Sequence, residues 1–319
     1  MTDQPQQSRE FASVNKNIGV IGLGSMGFGM ATSLVRAGHR VWGADVNAER
    51  VEALALKGGN PAPLPEAAHD LDILVVVVLN ADQTREVLFG KTGIAGQLKP
   101  GTVVISCATV APEFAREMAE LCAAKGLHYL DAPISGGSVK AAEGRLSIMA
   151  SGTPEAFSTA QPALNAMAET VFELGETPGS GSAMKAVNQL LAGVHIATMA
   201  EAITFGMTQG ITPEQILDVI PKCAGTSWMF ENRAPHIVAG DYTPHSSVNI
   251  WPKDLGIVLD IARSARFSAP VTAAALQQFL AAAGSGLGHE DDAAVAKVYA
   301  RNAGISLPDP SSAQTRERE

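Results

Sequence analysis

The sequence predicts an α/β protein: a mostly parallel sheet domain, then an all-helical domain, joined by a long helix. Three observations carry this expectation. Strand and helix signals alternate through the first half of the chain, a Pro/Gly/Ser-rich stretch at 177–182 interrupts them, and helical signals dominate from there to about residue 304. Strands separated by helices imply βαβ units with right-handed crossovers.

The elements follow in order. Residues 18–22 and 40–44 read as strands flanking a helix over 25–37 that stops at Gly38. Residues 73–79 are a run of Ile, Leu and Val without alternation, as in a parallel strand covered on both faces. Strands at 102–106, 128–131, 146–150 and 171–174 continue the series, with helices over 112–125 and 154–167 between them. The long helix spans 183–209, without proline and rich in Ala, Leu and Ile, yet too polar at Lys185, His195 and Glu201 for a membrane span. Thr212-Pro213 starts another helix. The expected domains are 16–180 and 181–308, with polar, flexible tails at 1–15 and 309–319.

Composition narrows the function classes. With 319 residues, 46% hydrophobic and 17% charged, the chain has enough apolar material for two cores and too little charge for a disordered polymer. No uninterrupted apolar run reaches the ~18–20 residues a bilayer span needs. The N-terminus has neither a basic start nor an apolar stretch, so no secretory signal is read there. Three cysteines without ligand spacing read as reduced thiols of a cytoplasmic protein, Cys107 as a small core residue. The histidines show no zinc-like spacing, so no metal is expected. A net charge of −9 without basic clusters argues against nucleic acid as a partner.

The chemistry begins at Gly22-Leu23-Gly24-Ser25-Met26-Gly27, which follows the first strand and opens the first helix. A lone GxGxxG is weak, but here Asp45 ends the next strand, 18 residues past Gly27. Glycines permit the tight turn and a close approach of backbone to a pyrophosphate, and the helix N-terminus offers free N–H groups to the phosphates. Asp45 accepts from ribose hydroxyls and repels a 2′-phosphate; Val46 and Asn47 supply no cation to counter it. The expectation is a Rossmann-type domain binding NAD rather than NADP.

Lys185 lies just inside the long helix, with Asn188 and Gln189 three and four residues on, all on one face. A lysine near a helix start is usually solvated. This one shares its stripe with Ala192, Ile196 and Met199, and a half-buried lysine has its pKa pulled down far enough to act as an acid/base. Hydride loss from an alcohol carbon requires the hydroxyl proton to leave as well, and Lys185 could carry it. A third segment, Asp131-Ala132-Pro133-Ile134-Ser135-Gly136-Gly137, follows a strand end, where ligands of open α/β sheets bind; Ser135 and the amides of Gly136 and Gly137 could cup a carboxylate.

Together these segments resemble the β-hydroxyacid dehydrogenase family over residues 17–305. The glycine loop is similar to the family's GLGxMG, DAPISGG to its DAPVSGG, 181–188 to its GxxxKxxN and Lys253-Asp254-Leu255 to its KDL. Segments 189–197, 227–233 and 240–246 and Asn80-Ala81 resemble the threonate-oxidising subgroup. The resemblance implies oxidation of the C2 hydroxyl of L-threonate, or of another small hydroxy acid, with NAD. It implies Lys185 as catalytic acid/base, Ser135, Gly136 and Gly137 as substrate-anion binders and Asn188 as substrate orienter. Thr109 and Lys253 would contact the cofactor near the nicotinamide, beside Leu79 and Asn80. A homodimer or homotetramer through the helical domain is implied as well. Three positions depart from the subgroup: Asn188 where His is frequent, Cys107-Ala108 for Ser-Ser, and Trp251-Pro252 for a Phe-led pair.

Overall fold

Ile73, Leu74, Val75 and Val76 are fully buried and form the middle strand of a five-stranded parallel sheet. The computed structural model describes residues 15–309, so the expected tails, apart from Asn15 and Asp309, lie outside the described residues. The sheet comprises β1 (Asn17–Ile21), β2 (Arg40–Ala44), β3 (Ile73–Val76), β4 (Val103–Ser106) and β5 (His128–Asp131), in the order β2-β1-β3-β4-β5. Between them lie α1 (Gly27–Arg36), α2 (Ala48–Leu56), α3 (Leu64–Ala67), α4 (Ala81–Phe89) and, after β4, α5 (Pro112–Ala123). The strand order reverses at β1/β3, which opens a crevice at the carboxyl ends of those strands. Beyond β2 a single parallel bridge, Trp42 to Asn60, stands where a further strand would lie. Pro61 and Pro63 follow it, and proline cannot donate to a ladder.

Two expectations are corrected here. The strand read over 73–79 ends at Val76: Val77 N–H donates to Ile21 at 2.8 Å, after which the chain turns into α4 and Leu79 is exposed. The later strands do not continue the parallel sheet. β6 (Ile134–Ser135), unforeseen, β7 (Leu146–Ala150) and β8 (Ala168–Glu173) form a second, three-stranded sheet, with β6 antiparallel to β7 and β7 parallel to β8. Pro133, with no N–H, comes two residues after β5, and an isolated antiparallel bridge, Asp131 to Ser151, stands where β5 meets the strand region after it. Helices α6 (Gly137–Glu143) and α7 (Pro154–Met167) belong to this part, and Met30, Leu34, Leu164 and Met167 share one core with residues of both sheets.

The chain divides into two compact units, one through Ser182 and one from Ala183. The second is helical: α8 (Ser180–Thr208), which begins in the first unit, α9 (Pro213–Val219), α10 (Trp228–Ala239), α11 (Ile250–Ser264), α12 (Pro270–Ala282) and α13 (Ala296–Ala303). Its core gathers Ile196, Met199 and Ile203 of α8 with Phe230, Trp251 and Phe279. Among the described residues α8 alone is long and apolar enough to cross a membrane, so Lys185, His195 and Glu201 do not by themselves take it out of that class. They are spaced widely enough to leave an apolar stretch, of which 44% is buried inside the protein.

One charged cluster stabilises a corner of the helical unit. Arg233 Nε lies 2.6 Å from Asp292 Oδ1, and Trp251 Nε1 donates to Asp292 Oδ2 at 3.0 Å. Burial pushes Asp292 up to about 6 against the pull of Arg233. Its neighbour Asp291 accepts from His245 N–H at 2.9 Å.

Candidate functional site

At the carboxyl end of β1 the three loop glycines are there for different reasons. Gly22 has φ +91°, and a Cβ there would lie 2.3 Å from Val77 O; at Gly27 it would lie 1.9 Å from Gly22 O. Both glycines are required by the chain's own packing. A Cβ on Gly24 would meet nothing within 4 Å. No protein atom demands glycine at that position, so the open cradle above it fits a ligand pressed against the backbone, as a dinucleotide pyrophosphate requires. Leu23 is buried, Gly24 and Ser25 are exposed, and Met26 opens α1 with no side-chain cap and no acidic residue in the first turn. No carboxylate or capping side chain thus competes with an anion at the first turn of the helix.

Asp45, half-buried at the end of β2, accepts from Leu23 N–H at 2.6 Å and Asn47 N–H at 2.9 Å. It therefore ties the glycine loop to β2, and each oxygen keeps lone pairs for an outside donor. Beside it a cleft of ≈ 360 Å³ is lined by Ala44, Val51, Pro61, Pro63 and Leu64 with Asp45 at its edge. An apolar floor with a carboxylate rim suits a flat ring carrying a ribose. These residues fit NAD.

Of the residues expected near the nicotinamide, Asn80 also has a part in the fold. Its Oδ1 accepts from Gln83 N–H at 2.9 Å and caps α4, while Leu79 N–H donates to Gln83 Oε1 at 2.9 Å. Thr109 is half-buried in the loop between β4 and α5. Cys107 beside it is buried, and burial raises its thiol to about 12, which makes it inert.

The DAPISGG segment has a structural role besides the one expected of it. Ser135 ends β6, Gly136 and Gly137 follow with φ of +136° and +79°, and Gly137 is exposed with open space where a Cβ would point. The loop therefore opens off the small sheet, not directly off β5. Asp131, buried at the end of β5, accepts from Gly179 N–H at 2.9 Å, Ser182 N–H at 2.8 Å and Ser182 Oγ at 2.7 Å. Burial raises its pKa and these donors oppose the rise. The donors are the orphan groups at the start of α8, so a residue from β5 caps the helix that carries Lys185. Sequence reasoning missed this role. The available signal was the glycines at 179 and 181, which leave the helix start with no local carboxylate.

In the second unit Lys185 is buried, 8% exposed. Burial pushes its ammonium down to about 8, with Asp254 opposing and Lys253 adding to the fall. Asp254, on α11, is buried; its Oδ1 lies 2.6 Å from Lys253 Nζ and its Oδ2 accepts from Gln189 Nε2. Gln189 Oε1 in turn accepts from Asn188 Nδ2 at 2.9 Å. Three residues expected at the site, Lys185, Asn188 and Lys253, are thus joined through two, Gln189 and Asp254, to which no role had been given. A lysine at about pH 8 poised between neutral and charged is suited to proton transfer in either direction.

Comparison with known proteins adds the family. A model described as the NAD binding domain of 6-phosphogluconate dehydrogenase matches residues 17–175, and one described as NAD-binding of NADP-dependent 3-hydroxyisobutyrate dehydrogenase matches 179–299. L-threonate dehydrogenase of Cupriavidus necator is 50% identical over 296 residues, 92% of this chain and 99% of that protein. The crystal structure of 3-hydroxyisobutyrate dehydrogenase from Salmonella typhimurium is 46% identical with a TM-score of 0.84, covering 89% of this chain and 100% of that one. Psf3 in complex with NADP+ and 2-OPP is 27% identical with a TM-score of 0.80, covering 88% and 99%. Fold and site define an NAD-binding oxidoreductase. More narrowly, the chain belongs to the β-hydroxyacid dehydrogenase family, of the 3-hydroxyisobutyrate dehydrogenase-like kind, and is a hydroxyacid dehydrogenase.

Proposed function

We propose that the protein oxidises the C2 hydroxyl of L-threonate to the 2-oxo acid with NAD, and that Lys185 accepts the hydroxyl proton. The observation that carries this reading is the buried Lys185, held at about 8 beside the Asp254 carboxylate. NAD, bound at the glycine loop, supplies the hydride acceptor. Leu23, Gly24, Ser25 and Met26 hold its phosphates, Asp45 its adenine ribose, and Thr109, Lys253, Leu79 and Asn80 flank its nicotinamide end. Ser135 and the amides of Gly136 and Gly137 hold the substrate carboxylate, and Asn188 orients the hydroxylated carbons. Neutral Lys185 takes the proton as the C=O bond forms; in the reverse direction its ammonium returns it. Positioning and proton transfer account for the chain's share of the catalysis. The L-threonate dehydrogenases, at up to 50% identity, support the substrate.

The test is an NADH-forming assay over C3–C5 sugar acids, with Lys185→Ala alongside. L-threonate should give the highest kcat/KM, and Lys185→Ala should bind NAD normally while losing about three or more orders of magnitude in turnover. Near-normal turnover of that variant would refute the lysine's role. Asp45→Ala should raise the KM for NAD and relax discrimination against NADP; an unchanged ratio would overturn the ribose assignment.

A second reading, a smaller hydroxy acid such as D-glycerate or 3-hydroxyisobutyrate, is favoured by one observation. Asn80 and Gln189, two polar side chains close to the expected site residues, are engaged within the fold, which leaves fewer polar groups to meet a polyhydroxy acid. The same panel separates the two readings.

A further inference from the structure

The hydrogen bonds around Asp254 run in one direction, and that direction has a consequence for recognition. A carboxylate paired with an ammonium, as Asp254 is with Lys253 at 2.6 Å, accepts hydrogen bonds and does not donate them. Gln189 must then turn its NH2 toward Asp254 Oδ2, which leaves its carbonyl oxygen as the group facing Asn188. Asn188 must turn its own NH2 toward that oxygen, at 2.9 Å. Amide orientations are set by their networks, and this network has an unambiguous end. The Asn188 oxygen, which neither Gln189 nor Asp254 uses, is then the acceptor this side chain offers outward. An outward carbonyl oxygen repels a carboxylate and accepts from a hydroxyl.

We infer that Asp254 and Gln189 are positioning residues that fix Asn188 as a hydrogen-bond acceptor, so that Asn188 selects for a non-reacting hydroxyl next to the carbon being oxidised. The inference rests on the proposed function for which hydroxyl is which. With the C2 hydroxyl given to Lys185, one turn away on the same helix face, the C3 hydroxyl is the donor to Asn188. Asn188 therefore reads the polyol part of the substrate, while the carboxylate is left to the loop at 135–137. A site built to accept from a hydroxyl rejects an analogue without it, because its acceptor is then left unpaired.

The experiment compares kcat/KM for L-threonate and its 3-deoxy analogue, 2,4-dihydroxybutanoate, in the full-length enzyme and two variants. Wild type should prefer L-threonate by roughly 10- to 100-fold. Gln189→Met, which cuts the relay, should bring that ratio within about threefold, by release of Asn188. The double variant Gln189→Glu/Asp254→Asn reverses donor and acceptor between the two positions but still gives Asn188 an acceptor to face. It should restore the preference above about 10-fold, which a merely structural role for Gln189 would not do. Circular dichroism and a cooperative thermal transition report that each variant is folded. An undiminished ratio in Gln189→Met, or its loss in a folded double variant, overturns the inference. Failure of the functional reading shows differently, as wild type forming no NADH from either acid. The relay is then decided in ¹⁵N-labelled protein: the Asn188 side-chain NH2 should be protected from exchange in wild type and the double variant and unprotected in Gln189→Met. Equal protection in all three refutes it.

Discussion

Replacing Asp131 separates its capping role from the proposed substrate loop in which it sits. In Asp131→Ala the N–H groups of Gly179 and Ser182 lose their acceptor inside the protein. Leaving a buried donor unpaired costs about 1–3 kcal/mol, so two cost about 4 kcal/mol together. The hydroxyls of Ser151 and Ser182, bonded to Asp131 at 3.4 and 2.7 Å, rotate to other partners and add little. Asp131→Asn should behave differently. Its amide oxygen can occupy the Oδ2 position and accept from both N–H groups, and its NH2 then meets Ser182 Oγ, which accepts as readily as it donates. What remains lost is the charge at the start of α8, about 0.5–1 kcal/mol. Urea unfolding followed by circular dichroism measures both variants, and exchange of the Ser182 amide reports the helix start directly. A cost below about 1 kcal/mol for alanine, or an asparagine variant as unstable as the alanine one, would refute the assignment.

The remaining predictions concern the loop, the charged corner and the lysine. Gly24→Ala should fold normally and weaken NADH binding at least about tenfold, because its methyl enters open space where backbone and phosphate must approach. Gly22→Ala should instead lower the melting temperature, since its methyl would lie 2.3 Å from Val77 O. Arg233→Met leaves Asp292 buried without its cation and should cost about 3–5 kcal/mol in urea unfolding, with Asp292→Asn in the same chain recovering part of it. Because burial holds Lys185 at about 8, kcat/KM for oxidation should rise tenfold per pH unit below that value and level off above it, where the amine is neutral. Reduction should show the opposite dependence, and a profile flat across pH 7 to 9 in both directions would contradict an essential Lys185 ionisation.

Much of this molecule was legible in its residues, and the exceptions share a cause. The five strands of the parallel sheet, the helix over 154–167 and the glycine loop each declare themselves through local pattern, and the structure places them within a few residues. The partner of each strand is not a local property. β7 and β8 read like further members of the parallel sheet, yet pair in a separate one with the two-residue β6, which is too short to carry any period. The same distinction holds at the site. Lys185 stands out because a charge on an apolar helix stripe is visible in sequence, but Asp254 lies 65 residues from the Gln189 it holds, and Asp131 lies 51 from Ser182. Asn80 shows the converse: an asparagine before a helix reads as a ligand contact or as a cap, and its bond to Gln83 shows a capping role that the sequence alone does not single out.

The lone bridge at Asn60 leaves the outer edge of β2 without a full neighbour and brings Pro61, Pro63 and Pro65 to the wall of the cleft beside Asp45. Each proline ring holds its own φ near −65°, so this wall has few shapes to abandon when a guest arrives. Ordering a flexible loop around an adenine would subtract from the affinity; a wall already stiff does not. Trading the prolines for glycine or serine would therefore slacken the grip on the nucleotide while touching none of the groups proposed to hydrogen-bond to it.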